Sequence, residues 1–468
     1  MRKNLLLLCP FLLGGMAAQA STITPTLHNT GGSHMAIARL NKDGSVKKLP
    51  KHRIHFHAPK FKKTAHLPSK FDPRKNLIPI RNQGEQSLCW SYAGNDLLSI
   101  SKTKQFGTAP QIFSPNYTNI LASYNSFWEG IPASHFVSLE DQLKQNIYNP
   151  DCISIRSLGD GGFVGMPAYY SMLGHNPALE SDFATVDETG YGTNALSETP
   201  IAKSSFESIP VDQSFEITDV VNPVDAASIF IGEEVTPAQA QKSVDSIKKN
   251  IYTKGAVGYG YNGYLVQSVL KSDTPYYNPD TASLHVPTTA NPLFKCSYTR
   301  QDGTVINLNI PTFQSNHDNL IVGFDDNYSK ENFCENARPS QNGAFLIRNS
   351  WGEEVHDNGY FWVSYEDFFI QTGNDTSAVQ LSKPSHEQVH HAANASGLFF
   401  QFDLTKENEA EKYGTAYFTN SYSASEKSSL NAVAFTSNAN VQYEVYFAPT
   451  EIPIENGSLT TSNLAKFG

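Results

Sequence analysis

Apolar residues recur at helical spacing over residues 236–254, where Ala240, Val244, Ile247 and Ile251 fall on one face. Thr236 stands at the N-cap, Pro237 suits the first helical position and Gln239 completes a capping box. Gly255 supplies the stop. A strand is expected next at 256–261, with others at 319–324, 343–348 and 359–364. Residues 89–101 (CWSYAGNDLLSIS) read as a helix weakened by Gly94 and Asn95, and 166–173 as part of another. Helices followed by a run of strands predict an α+β fold rather than alternating α/β. Residues 186–235 and 262–312 are rich in Pro, Ser, Thr and Asn with weak periodicity, the pattern of long surface insertions. Near the C-terminus Val441, Tyr443, Val445 and Phe447 alternate with Gln442, Glu444 and Tyr446, the period-2 signature of a half-buried strand. No repeat of fixed period is seen.

At 468 residues the chain is long for one domain, and 39% hydrophobic and 12% aromatic residues are enough to build cores. The formal net charge of -10 argues against sequence-independent nucleic-acid binding and against attachment to an anionic membrane surface. At the start, Arg2 and Lys3 precede an apolar run that ends in Ala18-Gln19-Ala20, the form of a secretory signal peptide. That run is too short to span a bilayer, and no later stretch is long and apolar enough. A secreted or periplasmic location is expected. The organisation read from these patterns is a signal peptide (1–20), a Lys- and His-rich segment that is either a flexible leader or a propeptide (21–66), a main globular unit (67–380), a polar linker (381–396) and a β-rich module (397–468). That last segment is short for a complete sandwich.

Four cysteines follow the signal: Cys89, Cys152, Cys296 and Cys334. An even number in an oxidising compartment suggests two disulfides. If Cys89 stays reduced, one bridge and one odd thiol remain. Cys296 with Cys334 is the pairing expected, although spacing does not fix connectivity. His386 and His390 lie at i,i+4 spacing, but no further ligand accompanies them, so no metal site and no cofactor are expected.

The stretch Gln83-Gly84-Glu85-Gln86-Ser87-Leu88-Cys89-Trp90 carries the chemistry. A thiol hydrolase needs a thiolate, a base and an oxyanion hole. Cys89 at a helix start would have its thiolate favoured by free N–H groups and the helix dipole. The Cys89 N–H and the Gln83 amide are candidate oxyanion donors. Asn316-His317-Asp318 puts a histidine at the start of a strand, a candidate base, and Asn349-Ser350-Trp351-Gly352 offers an amide to orient its ring and an indole to exclude water. A neutral Asn orients an imidazolium without adding a second negative charge.

These stretches resemble the papain family of cysteine peptidases, over roughly residues 67–380. Gln83-Gly84, Cys89-Trp90, His317 and Asn349-Ser350-Trp351-Gly352 correspond to that family's oxyanion glutamine, nucleophile, base and Asn-Ser-Trp-Gly signature. Leu67 to Arg74 (LPSKFDPR) looks like the start of a mature enzyme, and Gly343 to Glu366 like the hairpin carrying the asparagine. The resemblance implies a two-lobed fold, a helical lobe beside a β-barrel-like one, with a peptide or protein as substrate. It also implies substrate contact by Gly161 and Gly162, whose counterparts let an extended peptide approach closely, with Trp351 and Asn316 beside the cleft. Two departures stand out. Gln86 replaces the first cysteine of the family's Cys-Gly-Ser-Cys-Trp run, and Gly159 replaces its partner, so that bridge is missing as a pair. About 230 residues separate Cys89 from His317, against roughly 130–150 in the usual pattern. The run 325–333 resembles bacterial members with a lectin-like module after the peptidase, which implies a glycan as a second partner.

The expected function is therefore a secreted cysteine endopeptidase acting through Cys89, His317 and Asn349. The alternatives are a catalytically silent peptide- or glycan-binding protein on the same scaffold, or an acyl transferase using the same nucleophile.

Overall fold

The computed structural model describes residues 59–84, 87–122, 161–172, 175–183, 206–224, 235–266, 271–272, 276–299, 303–373, 375–384, 446–447 and 465–466. The signal-peptide reading, residues 21–58 of the leader, Gln86, Cys152, Gly159 and the His386/His390 pair lie outside the described residues. So do most of the linker and of the C-terminal module, apart from residues 446–447 paired antiparallel with 465–466.

In chain order the elements are β1 (Lys70–Phe71), α1 (Cys89–Phe106), α2 (Pro115–Ala122), α3 (Met166–Met172), β2 (Glu216–Val221), α4 (Pro237–Lys254), β3 (Val257–Tyr261), β4 (Lys271–Ser272), β5 (Tyr277–Asn278), β6 (Ser283–Leu284), β7 (Leu293–Thr299), β8 (Val305–Pro311), β9 (His317–Asp325), β10 (Ala344–Arg348), β11 (Tyr360–Ser364), α5 (Phe368–Thr372) and β12 (Ala378–Ser382). The central sheet runs β1-β9-β10-β11-β6-β5, and β3 also pairs with β9. The result is a mixed α and β structure, with helices packed on a sheet.

Strict alternation on β10 and β11 gives that sheet two buried faces. Leu346, Tyr360 and Trp362 share one apolar cluster with Leu97, Leu98 and Ile100 of α1. Phe345, Ile347, Phe361 and Val363 share another with Val244, Ile247 and Ile251 of α4. Both helices follow from local sequence. In α4 the capping box closes as read: the Gln239 backbone N–H donates to Thr236 Oγ1 at 3.3 Å, and the Thr236 N–H to Gln239 Oε1 at 2.8 Å. In α1 the helix runs to Phe106, five residues past the sequence expectation, and Gly107 stops it in the left-handed region at φ 67°. Gly94 costs helix propensity, but a Cβ there would lie 2.5 Å from Pro167 of α3, so close helix contact explains it.

Several elements fall where insertions are expected. Strand β2 lies inside 186–235 and pairs antiparallel with β12, so strand structure continues to Ser382, past residue 380. The β7–β8 hairpin and the short strands β5 and β6 lie inside 262–312. Residues 59–66, inside the expected leader, are bound to the main unit. The Phe61 N–H donates to Gln341 Oε1 at 2.8 Å, the Lys62 N–H to Gln241 Oε1 at 2.8 Å and Thr64 Oγ1 to Asp245 Oδ1 at 2.6 Å. The expected Cys296–Cys334 bridge is not formed. Cys296 faces the core from β7, paired with Leu308. Cys334 instead precedes the short turn Glu335–Ala337.

One buried ionic group ties these layers together. Asp96, on α1, accepts from Arg81 Nη2 through Oδ1 and from Arg348 Nε through Oδ2 at 3.0 Å. Arg348 also donates to the Ile78 carbonyl at 3.0 Å and to that of Pro79, and Arg81 to the Phe113 carbonyl at 2.8 Å. All three side chains are buried. Removing the carboxylate would leave two buried guanidinium groups facing one another. Asp96→Ala is therefore expected to destabilise the fold by about 3–5 kcal/mol, read as a shift in the urea midpoint. A loss below about 1 kcal/mol would mean that the backbone carbonyls alone satisfy the two arginines.

Candidate active site

Cys89 is the first residue of α1, preceded by Leu88, which offers no side-chain cap. The Ser91 and Tyr92 N–H groups both turn back to the Leu88 carbonyl at 2.9 Å, and those of Cys89 and Trp90 have no carbonyl within the helix to bond. The Cys89 thiol lies within hydrogen-bonding reach of the Trp90 and Asp318 backbone N–H groups. The second of these belongs to β9, so the thiol sits at the junction of the helix start with the strand that begins at His317. That junction is closed: Cys89 is 2% exposed and His317 4%.

The histidine and asparagine meet because β9 and β10 run antiparallel. Arg348, the last residue of β10, pairs with Leu320 near the start of β9, so Asn349 emerges beside His317. Asn349 Oδ1 lies 2.9 Å from His317 Nε2 and accepts the Ser350 backbone N–H at 2.7 Å. Two donors converging on one atom set the amide's orientation. His317 therefore carries its proton on Nε2, which leaves Nδ1 as the ring nitrogen for exchange with a thiol. Trp351 stacks on the imidazole, ring centres 4.4 Å apart and planes 21° from parallel, and shields the His317–Asn349 bond from water.

Gln83 is brought in by a short ladder between residues 81–83 and 350–352. The Gln83 N–H donates to the Ser350 carbonyl at 2.8 Å, the Gly352 N–H to that of Arg81 at 3.1 Å, and Asn82 bridges Trp351. Ser350 Oγ donates to Gln83 Oε1 at 2.6 Å. That bond turns the amide nitrogen away from Ser350, as an oxyanion donor requires.

The remaining expected residues have definite partners. Gly161 and Gly162 are buried. A Cβ on Gly162 would lie 2.4 Å from the Trp90 ring, so close packing against the residue after Cys89 already demands glycine there. Asn316 is half-buried, and its Oδ1 accepts the Gly263 N–H at 2.7 Å, holding the 263–266 turn against the His317 strand. Sequence reasoning missed two groups. His356 Nε2 lies 3.0 Å from Asn349 Nδ2, and His356 Nδ1 lies 2.6 Å from Tyr277 Oη. His356 follows Asn349 by one hairpin loop, which was the available signal. Tyr277 had none, because it lies in a stretch read as an insertion.

The electrostatics favour neutral groups at rest. Burial pushes the Cys89 thiol well above its ordinary range and the Asp318 carboxylate adds to this, while the Asp318 and Trp90 N–H groups pull the other way. Burial pushes His317 down to about 4, opposed by the bond to Asn349. Burial, then the His317 charge, pushes His356 down to about 4. The site does not favour the pre-formed thiolate–imidazolium pair expected from a helix start alone. It offers a thiol, an imidazole whose free nitrogen can take a proton, and amide and backbone donors for a developing oxyanion.

No family model matches the chain. No curated protein matches it either. Solved structures similar to it include the cysteine protease and lectin-like domains of Cwp84, a surface layer associated protein of Clostridium difficile, at 20% identity and TM-score 0.48, covering 79% of this chain and 60% of that one. Cwp84 after propeptide cleavage gives 22% identity and TM-score 0.44, covering 68% of this chain and again 60% of that one. The proform of the ragweed pollen allergen Amb a 11, a cysteine protease, is 15% identical with TM-score 0.37, covering 70% of this chain and 72% of that one. The chain thus spans about 60% of the length of the clostridial structures it matches.

A pH dependence of stability follows from the depressed histidines, His317 and His356 of the site among them. As pH falls from about 6.5, their ordinary value, the unfolded chain takes up protons at His317 and His356 that the folded chain refuses until about pH 4. Stability is therefore present above pH 6.5 and lost on the way to pH 4. Asp367 opposes this: burial raises it to about 7, against backbone N–H groups of Val286 and Phe369 that pull it down, so it gains stability as pH falls through the same window. Burial also lowers His175 and His285, so the depressed histidines outnumber this one raised carboxyl and the net is a loss toward acid, each unbalanced proton being worth about 1.4 kcal/mol per pH unit. Urea midpoints between pH 4.5 and 7 should fall toward acid, and less steeply in His356→Gln. A flat profile, or equal slopes in the two proteins, would contradict these assignments.

Proposed function

We propose that this chain is an exported cysteine endopeptidase of the papain type, with Cys89 as nucleophile, His317 as general base and acid, Asn349 as the group orienting the imidazole, and Gln83 with the Cys89 N–H as oxyanion donors. The observation that carries this reading is the 2.9 Å His317 Nε2–Asn349 Oδ1 bond, beneath a stacked indole, at the strand start whose next backbone N–H reaches the Cys89 thiol. The proposal includes the two-lobed arrangement, the signal peptide at 1–20, a leader covering the site, and the division of the chain given above. The 397–468 module enters it as a separate unit with a binding role.

In this mechanism the thiol proton passes to His317 Nδ1 as Sγ attacks the scissile carbonyl. The site holds the neutral pair at rest, so proton transfer accompanies attack. The carbonyl oxygen becomes an oxyanion held by the Cys89 N–H and the Gln83 amide nitrogen. Collapse breaks the C–N bond, and the imidazolium protonates the leaving amine. Water then gives a proton to Nδ1, its oxygen attacks the thioester, and the acid product leaves with the thiol restored. Asn349 fixes the ring throughout and adds no charge to compete for the imidazolium.

Cys89→Ala should abolish hydrolysis of an extended peptide substrate, and Gln83→Ala should lower kcat by about 10²–10³-fold with KM little changed. Undiminished hydrolysis in Cys89→Ala would sink the reading. A product that incorporates an added amine in place of water would move it to acyl transfer.

A further inference from the structure

The site contains a second imidazole that the mechanism above does not use. His356 sits in the hairpin loop between Asn349 and β11, with its backbone at φ 61°. Non-glycine residues adopt that left-handed region at a modest cost, histidine more readily than most, so its surroundings must fix it there. The loop is fixed: the Gly359 N–H donates to the Val355 carbonyl and the Asp357 N–H to that of Tyr360, each at 2.8 Å. The strained backbone turns the His356 ring inward, where it lies 5.0 Å from Phe361, 5.5 Å from Tyr277 and 6.1 Å from Trp351.

Bond directions in this group are determined. Asn349 Oδ1 accepts from both the Ser350 N–H and His317 Nε2, so the other end of the amide, Nδ2, faces His356 and must donate. His356 Nε2 is then an acceptor, and a neutral ring accepting there carries its proton on Nδ1. That proton goes to Tyr277 Oη at 2.6 Å. The chain reads Tyr277, His356, Asn349, His317, each link oriented by the one before it. A protonated His356 would set an N–H against the Asn349 NH₂ and force the amide over, taking Oδ1 off His317. Burial, the larger cause, holds that ring neutral.

Building on the peptidase reading, we infer that His356 is a positioning residue: locked as the Nδ1–H tautomer by Tyr277, it accepts from the Asn349 amide and keeps the amide oxygen on His317. Tyr277 lies on β5, whose partner β6 joins the central sheet beside β11, so the insertion contributes to the site's geometry.

The test compares His356→Gly, His356→Gln and Tyr277→Phe in the mature protein. His356→Gly relieves the backbone strain but removes the ring, with its packing on Phe361, Tyr277 and Trp351, together with the acceptor. It should still fold, with a lowered melting point, and lose roughly tenfold to a hundredfold in kcat with KM within about twofold. His356→Gln returns an acceptor at the same reach and should recover most of that loss. Tyr277→Phe should fall between them. A His356→Gly variant as active as wild type, or a Gln variant as impaired as the Gly one, overturns the inference. A second readout needs no turnover. Long-range ¹H–¹⁵N correlations of labelled histidine should show His356 as the Nδ1–H tautomer at neutral pH, and the Nε2–H form or an imidazolium overturns the assignment. If the wild-type protein shows no thiol-dependent hydrolysis, the peptidase reading fails by itself and the tautomer still decides the relay.

Discussion

A single buried carboxylate sets the spacing of the site. Asp96 lies two turns along α1 from Cys89 and grips Arg81, two residues before Gln83, and Arg348, the residue before Asn349. The helix that begins at Cys89, the segment carrying Gln83 and the strand that leads into Asn349 are therefore held to one ionic centre. Two guanidinium groups share the one carboxylate, and Glu180, 3.6 Å from Arg81, supplies a second negative charge at the edge. Backbone carbonyls of Ile78, Pro79, Tyr92 and Phe113 take up further N–H groups, while Arg81 Nε is left buried without a hydrogen-bond partner among the described residues. Such a group contributes little net stability compared with apolar packing. It fixes where three chain segments lie relative to one another, and a constellation that must be held to fractions of an ångström depends on that.

Geometry fixed in this way permits a site that is neutral at rest. Burial raises the cost of every charge, so the thiol keeps its proton and both imidazoles stay uncharged. Hydrogen-bond direction then does what charge would do elsewhere. The Asn349 amide lies between two imidazoles, accepting on one side and donating on the other. The Ser350 N–H breaks the tie between its two orientations. Without that backbone donor the amide could turn over with little change in shape, and His317 would lose its acceptor. The Ser350 side chain does the same for Gln83, so one residue's N–H and hydroxyl set the orientation of two amides.

What the sequence reveals of this arrangement divides by range. Helix α4 is legible to its cap because the capping box and the apolar stripe lie within one stretch, and β10 and β11 are legible because both faces are covered and alternate apolar residues continue through them. Strand β2 is read as a loop because its partner β12 lies over 150 residues away, and EITDVV shows no clean alternation. The β7–β8 hairpin hides in a stretch whose Pro and Asn content suggests loop. The site follows the same rule. Cys89, Gln83, His317 and Asn349 stand in short stretches where neighbouring residues give each one meaning. Arg81, Asp96 and Arg348 look like ordinary charged residues until the fold brings them together. The helix-start argument for a thiolate counts the N–H groups at α1, whereas burial of Cys89 pulls toward the thiol.

The insertion between β3 and β9 shows why length alone misleads. Closing a long loop adds only a few tenths of a kcal/mol for each modest increase in length, so extra chain is cheap and says nothing about use. Here the extra chain is structured. Strand β6 adds to the sheet in parallel with β11, through Trp362 with Ser283 and Val363 with Leu284, and β5 extends it by one more strand. Tyr328 Oη hydrogen-bonds Ser283 Oγ at 2.7 Å and stacks on Trp362, so the added strands are tied to the core. The position of Tyr277 is therefore set by sheet register, and a two-residue slip of β5 would carry the phenol about 7 Å away from His356. A group delivered by register is as precisely placed as one on the original scaffold. The extension of the sheet and the second imidazole thus belong to one device: the added strands deliver the phenol, the strained turn delivers the ring, and together they reinforce the Asn349 orientation that the Ser350 N–H sets.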